Sequence, residues 1–288
     1  MITATGLYSG LLNGLCLAGI YVLVALGMML ILSIMNILQF AHGEVYMLGA
    51  FVTYFVVVRL GGNVVLAILA SMVAIGLLGT ILERVIFRPL VGKFTPVVCA
   101  ATGLMLILQS TAVLSFGLNQ KQLPNMVPGG VRLGGFVVPY DRLLALVTSI
   151  VLTGLLFVFL RRTRLGLAIT ATSQNREGAL LQGINPKVMY SFVMTVGSAL
   201  AAVGGSFAGS IFTLDPFMGS LAMMKGFTII VIGGMGSLGG VVVGGLLLGL
   251  SDSLTATIFS PAVAAISPLV LVIVVLVVRP KGLWGHET

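Results

Sequence analysis

The first Lys, Arg, Asp or Glu in this chain is Glu44, and everything before it is apolar or uncharged. A water-soluble domain needs charge on its surface to stay dissolved, so a segment of that length without any points to another solvent. The pattern continues, with apolar runs at 10–33, 45–58, 64–82, 97–116, 143–160, 189–212, 223–250 and 263–278. A helix that crosses a bilayer needs about 20 mostly apolar residues. Barrel strands would alternate with a period of two, and these runs do not. Backbone in lipid must satisfy its own hydrogen bonds, so the expected fold is an all-α polytopic membrane protein. It is read as one transmembrane domain over residues 1–288 with about eight to nine membrane segments. A mean hydropathy of +1.19 and a charged fraction of 8% agree with that class.

The first run has no basic region before it and leads into further runs, so it is expected to remain as a span and not to be cleaved as a signal peptide. Cys16 and Cys99 both lie in apolar runs and serve as small packing residues, which leaves no disulfide or metal framework. The formal charge of +8 could suggest nucleic acid. In a membrane chain its partner is instead the lipid bilayer, and what matters is where the positive residues fall. Arg84, Arg88 and Lys93 share one loop; Arg161, Arg162, Arg164, Arg176 and Lys187 share another; Arg279 and Lys281 follow the last run. These mark the inner face. Arg59, Lys121, Arg132, Arg142 and Lys225 are scattered over the opposite loops, the longest of them at 117–142. The N-terminus is then outside and the C-terminus inside.

That orientation requires the run 223–250 to break, because a single helix there would leave Arg279 and Lys281 outside. The break is expected at Gly233-Gly234-Met235-Gly236-Ser237-Leu238-Gly239-Gly240, where each glycine weakens a helix by about 1 kcal/mol relative to alanine. The result is two helices or a re-entrant pair. A polar cluster at 36–44, reading NILQFAHGE, interrupts the first apolar stretch in a similar way. Irregular backbone and ionisable groups at membrane depth are tolerated where protein or a cavity covers them, and so mark a path. The candidate pathway residues are Asn36, Gln39, His42, Gly43, Glu44, Gly234, Gly236 and Ser237. His42 could equally pack at the break, and Glu44 could instead cap a helix at the interface, where the macrodipole favours an acid. Each break is followed by two apolar segments that end at Arg88-Pro89 and Arg279-Pro280, a weak internal repeat of the kind that points to a transporter site.

Gly234-x-Gly236-x-x-Gly239 is formally a dinucleotide fingerprint, but its flanks are membrane-apolar and Asp252 comes too early to be its acidic partner. The chain contains no P-loop pattern, nucleophile elbow or HExxH helix. His42 and Glu44, two apart on a helix, point to different faces and make a poor catalytic pair. Ala201, Gly205 and Gly209, then Gly240 with Gly244 and Gly245 with Gly249, stand at the spacing that lets helix backbones approach. Asp252 and Asp215 read as outer-end interface residues, and Gln109 as a bond across helices. The inner loop at 161–188 reads as a short helix able to seat in a partner's groove or on the membrane surface, with Asn185 and Pro186 opening the next span.

Four motifs, NILQFAHGEVYMLGAF, ALLQGINPKV, GSALAAVGGSFAG and GGMGSLGGVVVGGLLLG, together resemble the branched-chain amino acid permease family of bacterial ABC importers, close to its shorter H-type member. The resemblance runs in order over nearly the whole chain. It implies a multi-pass subunit of the bacterial inner membrane that pairs with a second homologous permease subunit and two ATPase subunits. A periplasmic substrate-binding protein would deliver a hydrophobic amino acid or related amide, docking near residues 118–141. ATP and magnesium then belong to the partner subunits, and this chain needs no cofactor and is not itself an enzyme. Residues 171–185 take the place of the loop that contacts the ATPase, with Ala171, Asn175, Arg176, Glu177, Ala179, Leu180, Gly183 and Ile184 as the coupling residues. Met235 in the glycine octet and Asn175-Arg176-Glu177 in the loop depart from the commoner family forms. The implied mechanism is alternating access driven by the ATPases, with Asn36, Gln39 and His42 giving transient hydrogen bonds. A urea or short-chain amide permease shares these motifs, and a secondary transporter or channel would share the broken helices. Bulk at Gly43 or Gly236 is expected to block uptake of labelled substrate while the complex still assembles; normal uptake by either variant would remove the pathway reading.

Overall fold

The computed structural model describes residues 4–133, 136–280 and 282–284. Helix α1 (Ala4–Met35) is followed by α2 (His42–Tyr54), which runs into a π turn at Phe55–Arg59. Next come α3 (Val64–Leu82), a second π turn (Glu83–Phe87), a 3-10 turn (Arg88–Leu90) and α4 (Phe94–Phe116). Strands β1 (Gly130–Leu133) and β2 (Phe136–Pro139) precede α5 (Tyr140–Arg162), α6 (Arg164–Gln174) and α7 (Arg176–Leu181). The chain continues through α8 (Pro186–Ile211), α9 (Met218–Gly233), α10 (Leu238–Ile258), α11 (Pro261–Ala264) and α12 (Ser267–Val278).

Seven helices among the described residues are long and apolar enough to cross a membrane, so the chain is a polytopic helical membrane protein. The expected eight to nine segments are not all long helices, because α2 has 13 residues and α9 has 16. A helix that is apolar all round belongs in the middle of a bundle or in lipid, and the two cases are both present. Of the most apolar window of α1, 83% is buried against protein, whereas the figure for Pro261–Val278, which spans α11 and α12, is 6%. Helices α5, α8, α9 and α10 surround α1. Their close approach rests on small residues: Gly27 faces the backbone of Gly197 and Gly249 that of Ala18, while Gly205 of α8 faces the backbone of Tyr46 in α2. Polar ties add to this, with Thr53 Oγ1 2.7 Å from Ser206 Oγ and Ser71 Oγ donating to the Gly49 carbonyl at 2.9 Å.

The spans are all helical, as expected, and the long loop adds an antiparallel hairpin of β1 and β2. Outside hydrocarbon, short strands can pair their own backbone groups and need no helix. The loop also ends earlier than 142: α5 opens at Tyr140, and Asp141 in its first turn accepts from Met126 N at 3.1 Å and Val127 N at 2.9 Å, pinning the loop onto the helix. At 161–188 the single expected helix is two, α6 and α7, because Asn175 turns the chain and its side chain accepts from Gly178 N at 2.9 Å. Asn185 caps α8 through Lys187 N at 3.1 Å, with Pro186 in the first turn, as read from the sequence. Gln109 makes no side-chain hydrogen bond among the described residues.

Two ends can be distinguished. At one, Phe116 stacks on Phe51 with ring centroids 4.3 Å apart, and Lys121 and Leu214 exchange backbone hydrogen bonds at 3.0 and 2.8 Å. At the other, α1 finishes at Met35 near α6 and α7, and Leu283 N donates to the Ile232 carbonyl at 2.8 Å. Arg88, Lys93, Arg176 and Arg279 all lie toward the Met35 end; Lys281 is outside the described residues. Here the buried Glu83 carboxylate receives both Arg88 Nε and Nη2 at 2.8 Å and Ser191 Oγ at 2.8 Å, tying the end of α3 to the start of α8. Removing the cation leaves a carboxylate that has lost its water and its partner. Arg88→Met is expected to lower stability by about 3 kcal/mol, the low end for a buried pair because Arg88 is 31% exposed. Adding Glu83→Gln should recover most of the loss, read as the unfolding midpoint of the detergent-solubilised protein.

Candidate functional site

The first break is re-entrant. Asn36 takes φ = 53°, a left-handed conformation that asparagine tolerates, and its N–H donates to the Leu32 carbonyl at 3.0 Å to close α1. Residues 37–41 then fold back along α1, and His42 N donates to the Gln39 carbonyl at 3.1 Å as α2 begins. The imidazole Nε2 of His42 donates to the Val24 carbonyl at 3.2 Å. Val24 lies about 16 Å up α1 from Met35 at 1.5 Å per residue, so α2 starts deep in the bundle. Ile37, Ala41 and His42 are buried, which supplies the protein cover that non-helical backbone needs at this depth.

Four polar side chains of this region differ in their partners. Asn36 is exposed at the Met35 end. Both amide atoms of Gln39, Nδ1 of His42 and both carboxylate oxygens of Glu44 are buried and have no hydrogen-bond partner among the described residues. Leaving a buried polar group unsatisfied costs about 1–3 kcal/mol, and more for a charged one. Such groups in one short segment mark a place built to meet something other than the chain itself. Glu44 does stand in the first turn of α2, as the capping reading expects, but not at an interface: it is 1% exposed, inside the bundle, with Oε2 against the backbone of Gly219 in α9. His42 turns to α1 and Glu44 to α9, so the two do not form a pair.

The second break is a tight turn at the end of the bundle. Gly234 (φ = 93°) and Gly236 (φ = 88°) take conformations that a side chain disfavours, and Ser237 Oγ accepts from Gly240 N at 3.1 Å to start α10. The backbones of Gly233 and Gly240 touch, closing α9 and α10 into a hairpin. Gly236 faces Ser33 in the last turn of α1. Gly234, Gly236 and Ser237 therefore gather near the Met35 end, and not at the depth where His42 begins α2.

Two cavities flank the first break. One of about 510 Å³ at the Met35 end is lined by Asn36, Ile37, Leu38, Lys93, Thr172 and Arg176 among others. The other, about 400 Å³ toward the Phe116 end, includes Tyr21, Tyr46, Asp215, Phe217 and Lys225 in its walls. Residues 36–46 thus run from the wall of one cavity to the wall of the other. Sequence reasoning missed the charges beside the second cavity. Lys225 is in α9 and not in a loop, and Asp252 is buried and not at an outer interface. Lys225 Nζ donates to Asp252 Oδ2 at 2.6 Å and to Tyr21 Oη at 2.5 Å, while Ser267 Oγ donates to Asp252 Oδ1 at 2.5 Å. The available signal was a lysine and an aspartate of opposite sign within or beside one apolar run.

The inner loop presents a mixed surface. Asn175, Arg176, Glu177, Leu180 and Gly183 are exposed, whereas Ala179 is buried and Ala171 and Ile184 are half-buried. The Arg176 guanidinium carbon lies 5.7 Å from the Tyr190 ring centroid, in the same cavity wall as Asn36. Gly183 holds φ = 79° with open space where a Cβ would stand.

The family described as branched-chain amino acid transport system, permease component, matches residues 10–278. The chain belongs to this permease family. It is 33% identical to the high-affinity branched-chain amino acid transport system permease protein BraD of Pseudomonas aeruginosa, over 96% of this chain and 95% of that protein. The corresponding permease protein LivH of Escherichia coli is 31% identical, over 95% and 94%. A glucose ABC transporter permease protein, TsgB13 of Haloferax volcanii, is 35% identical over 40% of this chain and 29% of its own length. The solved structure of PsaBC from Streptococcus pneumoniae in complex with Fab is similar in fold, with a TM-score of 0.56 at 14% identity over 97% of both chains. The permease is accordingly a multi-pass inner-membrane subunit of an ABC importer.

The geometry separates two glycines that the sequence treats alike. A Cβ on Gly43 would meet the Gly219 carbonyl, backbone that cannot step aside, while one on Gly236 meets only Ser33 Oγ at 3.9 Å. Gly43→Ala is expected to cost about 1–3 kcal/mol through overpacking and to lower the yield of assembled complex. Gly236→Ala carries only left-handed strain of about 1–2 kcal/mol and should assemble. Gel-filtration yield and unfolding midpoint compare the two.

Proposed function

We propose that this permease subunit carries branched-chain or other hydrophobic amino acids by alternating access, driven by two separate ATPase subunits. The observation that carries the reading is the shared cavity at the Met35 end. Asn36, Ile37 and Leu38 of the re-entrant segment and Thr172, Ser173 and Arg176 of α6 and α7 line the same space. A displacement of α6 and α7 by the closing ATPases would therefore reshape a space that the re-entrant segment also lines. Moving residues 36–41 relative to α1 would open the occluded stretch between the two cavities, and hydrolysis would reset it. Gln39 and Nδ1 of His42, without a partner among the described residues, would exchange brief hydrogen bonds with a zwitterion whose side chain passes apolar walls.

The Met35 end is the cytoplasmic one on this reading, because the clustered Arg and Lys residues lie there, with the N-terminus outside and the C-terminus inside. The substrate-binding protein then docks over the β1–β2 hairpin and its loop at the Phe116 end. A second homologous permease covers part of the exposed apolar flank, and lipid covers the rest. ATP and magnesium are bound by the ATPases. The near full-length likeness to two branched-chain amino acid permeases supports the substrate class.

Reconstituted with its partner permease, ATPases and loaded binding protein, the complex is expected to accumulate leucine only with ATP. Uptake that persists without ATP would favour a secondary transporter, and accumulation of urea in place of leucine would move the substrate class to short amides. Arg176→Glu and Gly183→Val are expected to lower leucine uptake per ATP hydrolysed by about tenfold, the size of a typical coupling free energy. Coupling equal to that of the wild type in both variants would remove α6 and α7 from the drive.

A further inference from the structure

The cavity toward the Phe116 end combines features that a passive gap between helices would lack. Lys225, from α9, has 22% of its side chain exposed and lines the cavity. Its ammonium has three donors. One goes to Asp252 Oδ2 at 2.6 Å and one to Tyr21 Oη at 2.5 Å, which leaves one free. Asp252 is committed on both oxygens: Oδ1 accepts from Ser267 Oγ at 2.5 Å, and Oδ2 from Tyr21 Oη at 3.1 Å as well as from Lys225. The network fixes the lysine in place in the cavity wall. An ionised pair among membrane helices is costly, and replacement by apolar residues is often neutral or stabilising, so its retention here asks for a use.

The same cavity carries an acid and an apolar wall. Asp215 Oδ1 accepts from Phe217 N at 2.7 Å, and its other oxygen takes no donor among the described residues. Phe217 and Leu221 supply apolar wall. A volume of about 400 Å³ suits one small solute with a few waters. Opposite charges beside an apolar surface match a free amino acid with an oily side chain. Met218 in this wall is followed by Gly219, against which the unpartnered Glu44 rests, so the cavity adjoins the occluded stretch of the path.

We propose that this cavity is an amino-acid subsite of the permease itself, in which Lys225 takes the substrate carboxylate, Asp215 the ammonium, and Phe217 with Leu221 the apolar side chain. This rests on the amino-acid import reading. The test uses the assembled complex without binding protein, in a Cys99→Ser background with Ala222→Cys, in the wall of the same cavity, as a reporter; Cys16 is buried. Leucine is expected to protect the reporter from a thiol reagent, and leucine amide, which lacks the carboxylate charge, to protect poorly. Lys225→Met with Asp252→Asn removes the pair without leaving a lone buried carboxylate and should raise the half-protective leucine concentration at least about tenfold, the worth of a hydrogen bond to a charged group. The double variant should also erase the difference between leucine and its amide, and Lys225→Arg should restore it. Protection of the double variant at wild-type leucine concentrations overturns the subsite, as does equal protection of the wild type by leucine and its amide. If the double variant does not assemble, the wild-type comparison of leucine with its amide decides. Leucine uptake by the wild-type complex without leucine protection overturns the subsite alone; absence of leucine uptake overturns the import reading and the subsite with it.

Discussion

No water reaches the hydrocarbon interior to satisfy stray N–H and C=O groups, so each must find its partner inside the protein. Residues 36–41 break helical bonding at depth, and they persist because α1 stands at the centre of the bundle with other helices around it. That centrality comes from small residues. Gly27 against Gly197 and Gly249 against Ala18 bring α8 and α10 to backbone contact with α1. The re-entrant segment then lies where protein covers it. Without the close packing, the break would face lipid and would be replaced by continuous helix.

Charge is handled by the same constraint in three ways. Glu83 is buried beside Arg88 and Ser191, and it joins α3 to α8. Asp252 is buried beside Lys225, Tyr21 and Ser267, and it joins α1, α9, α10 and α12. Glu44 alone of these acids is buried without a partner among the described residues. The first arrangement fixes helices. The second fixes helices beside a cavity. The third leaves its acceptors open, next to the start of α9.

Much of the architecture was legible one run at a time. The run 64–82 coincides with α3, the break in 223–250 falls at Gly234 to Ser237, and Asn185 with Pro186 opens α8. These are local matters of apolar length, glycine backbone freedom and capping. The β1–β2 hairpin was not legible, because its short stretches carry no apolar period that a membrane reading would notice. Nor was the partnership of Lys225 with Asp252, since helices α9 and α10 must first fold together for the two charges to meet. Among the site residues, Gly234, Gly236 and Ser237 shared a plausible role with His42 on the strength of a repeated pattern. Equivalent position in a repeat does not fix depth, and the two breaks differ: one returns into the bundle, and the other turns at its end.

By itself the sequence determined the solvent, the approximate spans, the places where helices must stop, and through its motifs the permease family. Those follow from composition and from interactions between near neighbours along the chain. Only the tertiary structure decided that Glu44 lies inside the bundle, that Lys225 and Asp252 are a pair, and that α6 and α7 share a cavity with the re-entrant segment. The reason is physical: burial and ion pairing depend on which helices touch, and in lipid that choice is made by close packing of small residues distant in sequence, with no water-driven pattern to announce it.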